Sequence, residues 1–323
     1  MTFCIIMSFI NNLPDKFLVL APMDDVTETV FRQIIVDCAK PDLLFTEFVN
    51  VEALQSIGRK SAMKRLIFTE KEQPLIAQIW GKNPENFKKT ADELVEMGFA
   101  GVDINMGCPD KKVVKNGTGG GMIKYPETAR DVIQATKEGL ANRLPISVKT
   151  RIGFKEYDET WLRFLLEQNL DMLSVHFRTV KEMSKVPAHW ELAERLVKLR
   201  DEIAPNTLLV GNGDVENYKQ ANQLAEQYGL DGVMIGRGIF KDPFVFSENS
   251  PWEAYSKQQK IDLYIKHLTL FKENSPECER KFDTIKKFCK IYINDFAGAN
   301  DLRAQLMLAK TVDESLNILQ NTH

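Results

Sequence analysis

The stretch Gly101-Val102-Asp103-Ile104-Asn105-Met106-Gly107-Cys108-Pro109 opens as a short apolar run and closes on a side-chain amide and a thiol. It is too short for a buried helix, and glycine and proline bound it, which favours a strand covered on both faces. Seven further runs have the same form, at residues 17–23, 43–49, 74–80, 145–153, 172–178, 207–213 and 232–238. Helical patterns lie between them. Residues 84–97 begin with Pro84, place Phe87, Ala91, Leu94 and Val95 on one face, and end at Gly98 as a C-cap. Residues 161–168 and 221–228 follow the same logic.

Eight strand–helix alternations suit a parallel sheet, because parallel strands need crossover helices. An open, doubly wound sheet is the structural rival. The polar residues decide for closure. Met23, Gln78, Cys108, Lys149 to Arg151, His176 to Arg178, Asn212 to Asp214 and Gly236-Arg237 all fall at strand ends. A barrel gathers such ends around one ligand, whereas an open sheet spreads them. The expected fold is therefore a (β/α)8 TIM barrel over residues 1–246. After about Phe246 only helical periodicity remains, at 261–271, 282–294 and 301–309, which predicts a small helical domain over 247–323.

Bulk properties narrow the class. The chain has 323 residues, 44% hydrophobic and 27% charged, the balance of a globular protein with room for one large and one small domain. A net charge of −3 leaves any polyanionic partner to a local basic patch. The five cysteines (Cys4, Cys38, Cys108, Cys278, Cys289) form no C-x-x-C pair, and none of the four histidines has metal-ligand spacing. Both facts argue against a disulfide framework or a metal site and for a reducing, cytoplasmic compartment. The apolar N-terminal residues 3–10 are too few to span a bilayer and lack the features of a secretory signal, and Met7 offers a second start.

Three constellations carry chemistry. Cys108 leaves its strand between Gly107 and Pro109 and opens a Gly/Lys-rich segment, 110–121, that suits a lid over an anionic substrate. On spacing alone, reactive and buried, inert cysteines stay equally open. Gly211-Asn212-Gly213-Asp214 and Gly236-Arg237-Gly238 end the last two strands, where barrels commonly hold a phosphate. Lys149, His176 and Arg178 end neighbouring strands; facing one cavity they would repel unless something electron-rich sat between them. The negative edge of a reduced flavin would serve, with Gln78 on its pyrimidine edge. The bland readings are ion pairs to Glu47 or Asp103, a satisfied core histidine, and a supporting hydrogen-bond network for Gln78.

Together these residues resemble the tRNA-dihydrouridine synthase family. The matching pieces are Ala21-Pro22-Met23, Asn105 to Pro109 followed by Lys111 to Gly119, Ser147 to Gly153, His176 to Thr179, Gly211 to Asp214 and Val233 to Gly238, in family order, with Phe296 to Arg303 resembling the helical domain. The resemblance implies bound FMN, reduced by NADPH, with hydride going to C6 of a tRNA uracil and a proton from Cys108 to C5. A thiol of pKa near ~8.5 is mostly protonated at neutral pH and can act as that acid. The resemblance also implies Pro22, Met23 and Asp24 around the isoalloxazine, and Gln78, Lys149 and His176 at its polar edge. Asn212, Gly213, Asp214, Gly236 and Arg237 would hold the phosphate, with Asn105 and Arg178 near the uracil. Two departures, Phe177 and Val186 to His189, lie on the expected substrate side.

A base must leave its stack to reach a barrel mouth, which favours loop uridines. Lys281, Lys286, Lys287 and Lys290, with Lys111, Lys112, Lys115 and Arg303, form the expected phosphate track; a merely solvated lysine face is the alternative. The rival functions are a dihydroorotate dehydrogenase-like enzyme acting on a free pyrimidine and a non-catalytic RNA-binding barrel. The expected state is a monomer without metal or membrane attachment.

Overall fold

A computed structural model describes residues 9–278 and 281–322. The N-terminal stretch up to Ser8, with Cys4 and Met7, lies outside the described residues. Nine parallel strands follow: β1 (Phe17–Leu20), β2 (Leu44–Phe45), β3 (Val49–Asn50), β4 (Leu75–Trp80), β5 (Gly101–Met106), β6 (Ile146–Arg151), β7 (Met172–His176), β8 (Leu208–Asn212) and β9 (Gly232–Ile235). The hydrogen-bonded order runs β1-β9-β8-β7-β6-β5-β4-β2. A bridge from Val19 to Leu43, with Leu20 N–H donating to Leu43 C=O at 3.0 Å, closes the ring. The expected barrel is present, and each of the eight runs contributes a strand.

The run at 43–49 is the one that divides. The Thr46 hydroxyl accepts from Gln78 N–H at 3.0 Å and donates to Glu47 C=O at 2.7 Å, taking a place in the ladder that backbone would otherwise fill. Pairing lapses there and resumes at Val49. The segment at 110–121 is also more ordered than a loop: Asp110 caps a helix, Lys111–Lys115, by accepting from Lys112 and Val113 N–H, and a 3-10 turn spans Gly119–Lys124.

Alternation along the strands sorts side chains into two cores. Phe17, Val19, Leu43, Phe45, Ile76, Met172, Val210 and Met234 form an apolar plug inside the barrel, against which Phe9 and Leu13 pack. Their alternates, such as Leu18, Leu20, Ile104, Val148 and Leu173, join the larger core beneath the helices. At the plug end, aspartates before three strands accept the N–H of a neighbouring strand. Asp42 takes Leu18 at 2.7 Å, Asp171 takes Ile146 at 2.8 Å and Asp231 takes Leu209 at 2.7 Å. At the other end the inward positions turn polar: Gln78, Asp103, Asn105, Lys149, Arg151, His176 and Asn212.

Beyond the strands come helices at Lys257–Cys278, Phe282–Lys286, Cys289–Tyr292, Ala299–Leu308 and Val312–Gln320. The expected single helix at 282–294 is broken, because Phe288 N–H bonds Ile285 C=O three residues back, and the chain tightens. Phe288 then stacks on Phe31 of the barrel helix Thr29–Ala39 with ring centroids 4.8 Å apart. The last helix is not apparent in the sequence reading. Beside this contact Arg32 and Glu72, both fully buried, pair at 2.6 Å, and Arg32 also holds Thr27 C=O at 2.6 Å. No described helix is long and apolar enough to cross a membrane.

His267 is fully buried in the same contact, bonded through Nδ1 to Tyr292 Oη at 2.9 Å, and burial pushes its pKa down to about 3. An unfolded histidine titrates near ~6.5. Below that pH the unfolded chain binds a proton that the folded chain refuses, so stability present above pH ~6.5 is lost towards pH 3. The slope is about 1.4 kcal/mol per pH unit for one proton. Urea unfolding between pH 7 and 5 should show an acid limb one proton shallower in His267→Gln than in the parent; identical slopes would contradict this.

Candidate active site

The polar strand ends line a cavity of about 530 Å³ at the C-terminal mouth of the barrel. Of the residues singled out from sequence, Pro22, Met23, Gln78, Asn105, Cys108, Lys149, His176, Arg178, Asn212, Gly213, Asp214, Gly236 and Arg237 all line it. Asp24, Lys111, Lys286 and Lys287 are not among its lining residues. Asp24 is exposed and pairs with Arg65 at 3.1 Å. Lys111 is exposed on its short helix. The Lys286 ammonium reaches Met307 C=O at 3.4 Å and Asp283 at 3.3 Å, leaving its side chain 12% exposed. Lys287 donates to Asp25 C=O and so joins the helical segment to the turn that follows β1.

Cys108 is half-buried at the cavity wall. Burial pushes its thiol pKa up, and nearby Arg151 opposes this only in part. The proton therefore stays on sulfur near neutrality. All four backbone polar groups around the thiol are bonded. Asn105 Oδ1 accepts from Gly107 N–H at 3.1 Å and Cys108 N–H at 3.0 Å; Arg151 Nε donates to Gly107 C=O at 2.8 Å and Gly120 N–H to Cys108 C=O at 2.9 Å. The buried reading of Cys108 fails on position, since the residue borders open space.

The expected clash of three cations is partly resolved within the protein. Asp214, at φ +51°, ion-pairs with Arg178 and, at 2.8 Å, with Arg237. The two arginines hold its carboxyl below the usual range against the opposing effect of burial. Thus Arg178 is salt-bridged, although to Asp214 rather than to Glu47 or Asp103. Burial, reinforced by Arg151, Lys149 and Arg178, pushes His176 well below the ordinary imidazole range. A neutral ring fits the 3.0 Å approach of Arg178 Nη1 to His176 Nε2, with Nε2 accepting.

What remains is Lys149 beside Arg151. Among the described residues Lys149 Nζ has one acceptor, Asn212 Oδ1 at 3.2 Å, although it carries three protons, and Arg151 donates only to carbonyls, of Gly107, Thr179 and Met183. Burial first and their mutual repulsion next push Lys149 down to about 8; burial pushes Arg151 down to about 10. Two desolvated cations with neutral hydrogen-bond partners fit an anionic or electron-rich guest.

The glycines test the phosphate end. A Cβ on Gly236 would meet Ala21 Cβ at 3.6 Å and Met23 Sδ at 3.7 Å, ordinary contacts, although its backbone, at φ −109° and ψ −97°, lies outside the α and β regions. Nothing in the protein's own packing calls for glycine there; the missing side chain leaves cavity space beside Arg237. Gly213 differs, because its φ is +139° and a Cβ would stand 2.6 Å from Ala188. The donor set and this cradle fit a phosphate-bearing flavin such as FMN.

Sequence reading placed Arg151 at a polar strand end without giving it a role and passed over Phe48; both line the cavity. Ser147, Lys149 and Arg151 share one strand face by period-two spacing, the signal that could have found Arg151. Phe48 reads as core within an apolar run and is instead freed by the lapse at Thr46; it meets Trp80 edge-on at 6.2 Å. The departures Phe177 and His189 line no part of the cavity: Phe177 is fully buried against Trp190, and His189 is clasped by Glu182 and Glu191.

Comparison with known proteins follows the same lines. The family model for dihydrouridine synthase matches residues 19–323. The "Probable tRNA-dihydrouridine synthase" of Staphylococcus aureus (strain COL) is 50% identical over 315 residues, 97% of this chain and 94% of that protein. The "Probable tRNA-dihydrouridine synthase 2" of Bacillus subtilis (strain 168) is 49% identical over 317 residues, 97% of this chain and 96% of that one. Among solved structures, histamine dehydrogenase from Rhizobium sp. 4-9 superposes with a TM-score of 0.53 at 14% identity, over 78% of this chain and 48% of that one. Morphinone reductase does so at 0.50 and 12%, over 72% and 88%. At such identities these two share the fold alone.

Filling the cradle is a direct test. Gly236→Ala should fold with a modestly lowered thermal midpoint, from its backbone conformation, and weaken FMN binding roughly tenfold, about 1.4 kcal/mol, by flavin fluorescence. Unchanged affinity would move the phosphate elsewhere.

Proposed function

Because the chain belongs to the dihydrouridine synthase family, we propose that it reduces the C5–C6 double bond of uridines in tRNA, with Cys108 as proton donor. The observation that carries this reading is the shared cavity. A protonated thiol borders the same space as Lys149 and Arg151, two desolvated cations suited to an electron-rich ring. When bound, FMN would supply hydride for C6 of the uracil, with NADPH as its reductant.

The chain's own residues do the rest. Lys149 and neutral His176 would face the polar edge of the flavin, Pro22 and Met23 its ring face, and Asn212, Gly213, Gly236 and Arg237 its phosphate. Asp214 contributes by orienting Arg178 and Arg237 rather than by touching an anion itself. Asn105 and Arg178 would hold the uracil while Cys108 places its proton on C5. The thiolate left behind lies close to Arg151, whose charge favours it, and solvent restores the proton.

A cavity of about 530 Å³ admits a base only when it is turned out of its stack, so the substrate is a loop nucleotide. Lys111, Lys112 and Lys115 stand exposed on the helix that follows Cys108, and Lys281 and Lys290 are exposed on the helical segment. We assign these to tRNA phosphates. In this reading residues 1–246 form the flavin-binding barrel and 247–323 the tRNA-binding domain. Lys286 and Lys287 serve there chiefly by fixing the helical segment, given their carbonyl partners. The working species is a cytoplasmic monomer that takes its electrons from NADPH and needs no metal.

Cys108→Ala tests the assignment. It should bind FMN and oxidise NADPH like the parent, while dihydrouridine formation, read by mass spectrometry of tRNA, falls roughly 100-fold or more. Modification at the parent rate would mean that another group supplies the proton.

A further inference from the structure

Beneath Cys108 runs a chain of buried side chains of which the chemistry above uses only Asn105. Ser147 Oγ donates to Asp103 Oδ1 at 2.5 Å, and Gln78 Nε2 donates to Asp103 Oδ2 at 2.7 Å. Asn105 Nδ2 donates to Gln78 Oε1 at 3.0 Å, and Asn105 Oδ1 receives the N–H groups of Gly107 and Cys108. The strand register sets this up: Gln78 pairs with Asp103 and Asp103 with Ser147, so three inward positions on β4, β5 and β6 are neighbours. Asp103 and Gln78 are fully buried, Ser147 and Asn105 nearly so.

The direction of this chain is fixed by its ends. A side-chain amide has one donor end and one acceptor end, so two amides in series have two arrangements. The peptide N–H groups of Gly107 and Cys108 can only donate, which requires oxygen from Asn105. Asn105 must then present nitrogen to Gln78, and Gln78 nitrogen to Asp103. That last place needs a group that accepts. A carboxylate accepts at both oxygens; an apolar residue would leave the Gln78 amide without its acceptor, so that the chain would be held from the peptide end alone.

We propose that Asp103 is a positioning residue for the proton donor: through Gln78 and Asn105 it fixes the amide orientation that holds the Cys108 peptide against the cavity wall. The inference rests on the reading of Cys108 as donor, yet concerns a separate property, the placement of its backbone. Burial pushes the Asp103 carboxyl up to about 6, consistent with a buried acid kept in spite of its desolvation. Gln78 thereby has a role distinct from any contact with a flavin.

The variants are Asp103→Ala, Asp103→Asn and Ser147→Ala, tested in the full-length protein loaded with FMN. The readouts are iodoacetamide labelling of Cys108, resolved by peptide mass spectrometry, and the separate rates of the NADPH and tRNA half-reactions. Asp103→Ala leaves the Gln78 amide without its acceptor; Cys108 labelling should change at least threefold, and the tRNA half-reaction should slow by roughly tenfold to a hundredfold, more than the NADPH half-reaction. Asp103→Asn keeps an oxygen for Gln78, because Ser147 can rotate to accept from the new amide. It should restore both readouts to within about threefold of the parent. Ser147→Ala removes one of two bonds on the carboxylate and should shift both in the same direction by less, which keeps the test alive if Asp103→Ala does not fold. The proposal is overturned if Asp103→Ala or Ser147→Ala lowers the thermal midpoint but leaves labelling and the ratio of half-reactions at parent values. It is equally overturned if Asp103→Asn fails as badly as Asp103→Ala. A wrong donor assignment would show differently, as an active Cys108→Ala enzyme alongside Cys108 labelling that still responds to residue 103.

Discussion

Lys149 and Arg151 are two residues apart on one strand face, and both turn into the barrel mouth. Among the described residues neither has a carboxylate within hydrogen-bonding distance. Such an arrangement is costly in an isolated protein, because the charges of Asp103 and Glu182 offset the desolvation of the two cations only in part. The other charges in the mouth are already settled, with Arg178 and Arg237 on Asp214 and His176 neutral. In the proposed reading the unsettled pair suits the cavity to an electron-rich ring, and it lines the same space as the thiol that would serve the uracil as an acid.

The barrel makes this arrangement tolerable by layering its interior. The apolar plug from Phe17 to Met234 supplies the burial that holds the sheet closed, and the aspartates below it satisfy strand N–H groups at the sealed end. The apolar plug thus fills one end of the barrel interior, and the polar layer is carried at the other. Asp103, Gln78 and Asn105 occupy the boundary, where a hydrogen-bond chain of fixed direction passes order from the packed layer to the Cys108 peptide.

Much of this was legible in the sequence. Eight short apolar runs with polar ends give the barrel, and thirteen of the seventeen site residues read from those ends and from the family resemblance line one cavity. What escaped depends on partners far away in the chain. The Arg178–Asp214 pair spans 36 residues, and Lys287 meets Asp25 across 262, so no local pattern reports that these charges are engaged. Phe48 looked like core because its run is apolar; the Thr46 hydroxyl, by entering the ladder, is what turns that segment towards the cavity. The break at Phe288 was hidden for the same reason, since it accompanies a stacking partner, Phe31, in another part of the chain.

The account stands or falls on the cavity accepting a tRNA uridine between the electron source and the thiol. The direct measurement is a single turnover of the flavin-reduced protein with unmodified tRNA in D2O, with the label located by mass spectrometry and NMR. The account predicts dihydrouridine in tRNA carrying one deuterium at C5, from the exchangeable thiol, and a second at C6, because the N5–H of a reduced flavin also exchanges with solvent. A protein that passes its electrons as fast to free uridine as to tRNA, or that leaves tRNA unlabelled, would contradict it.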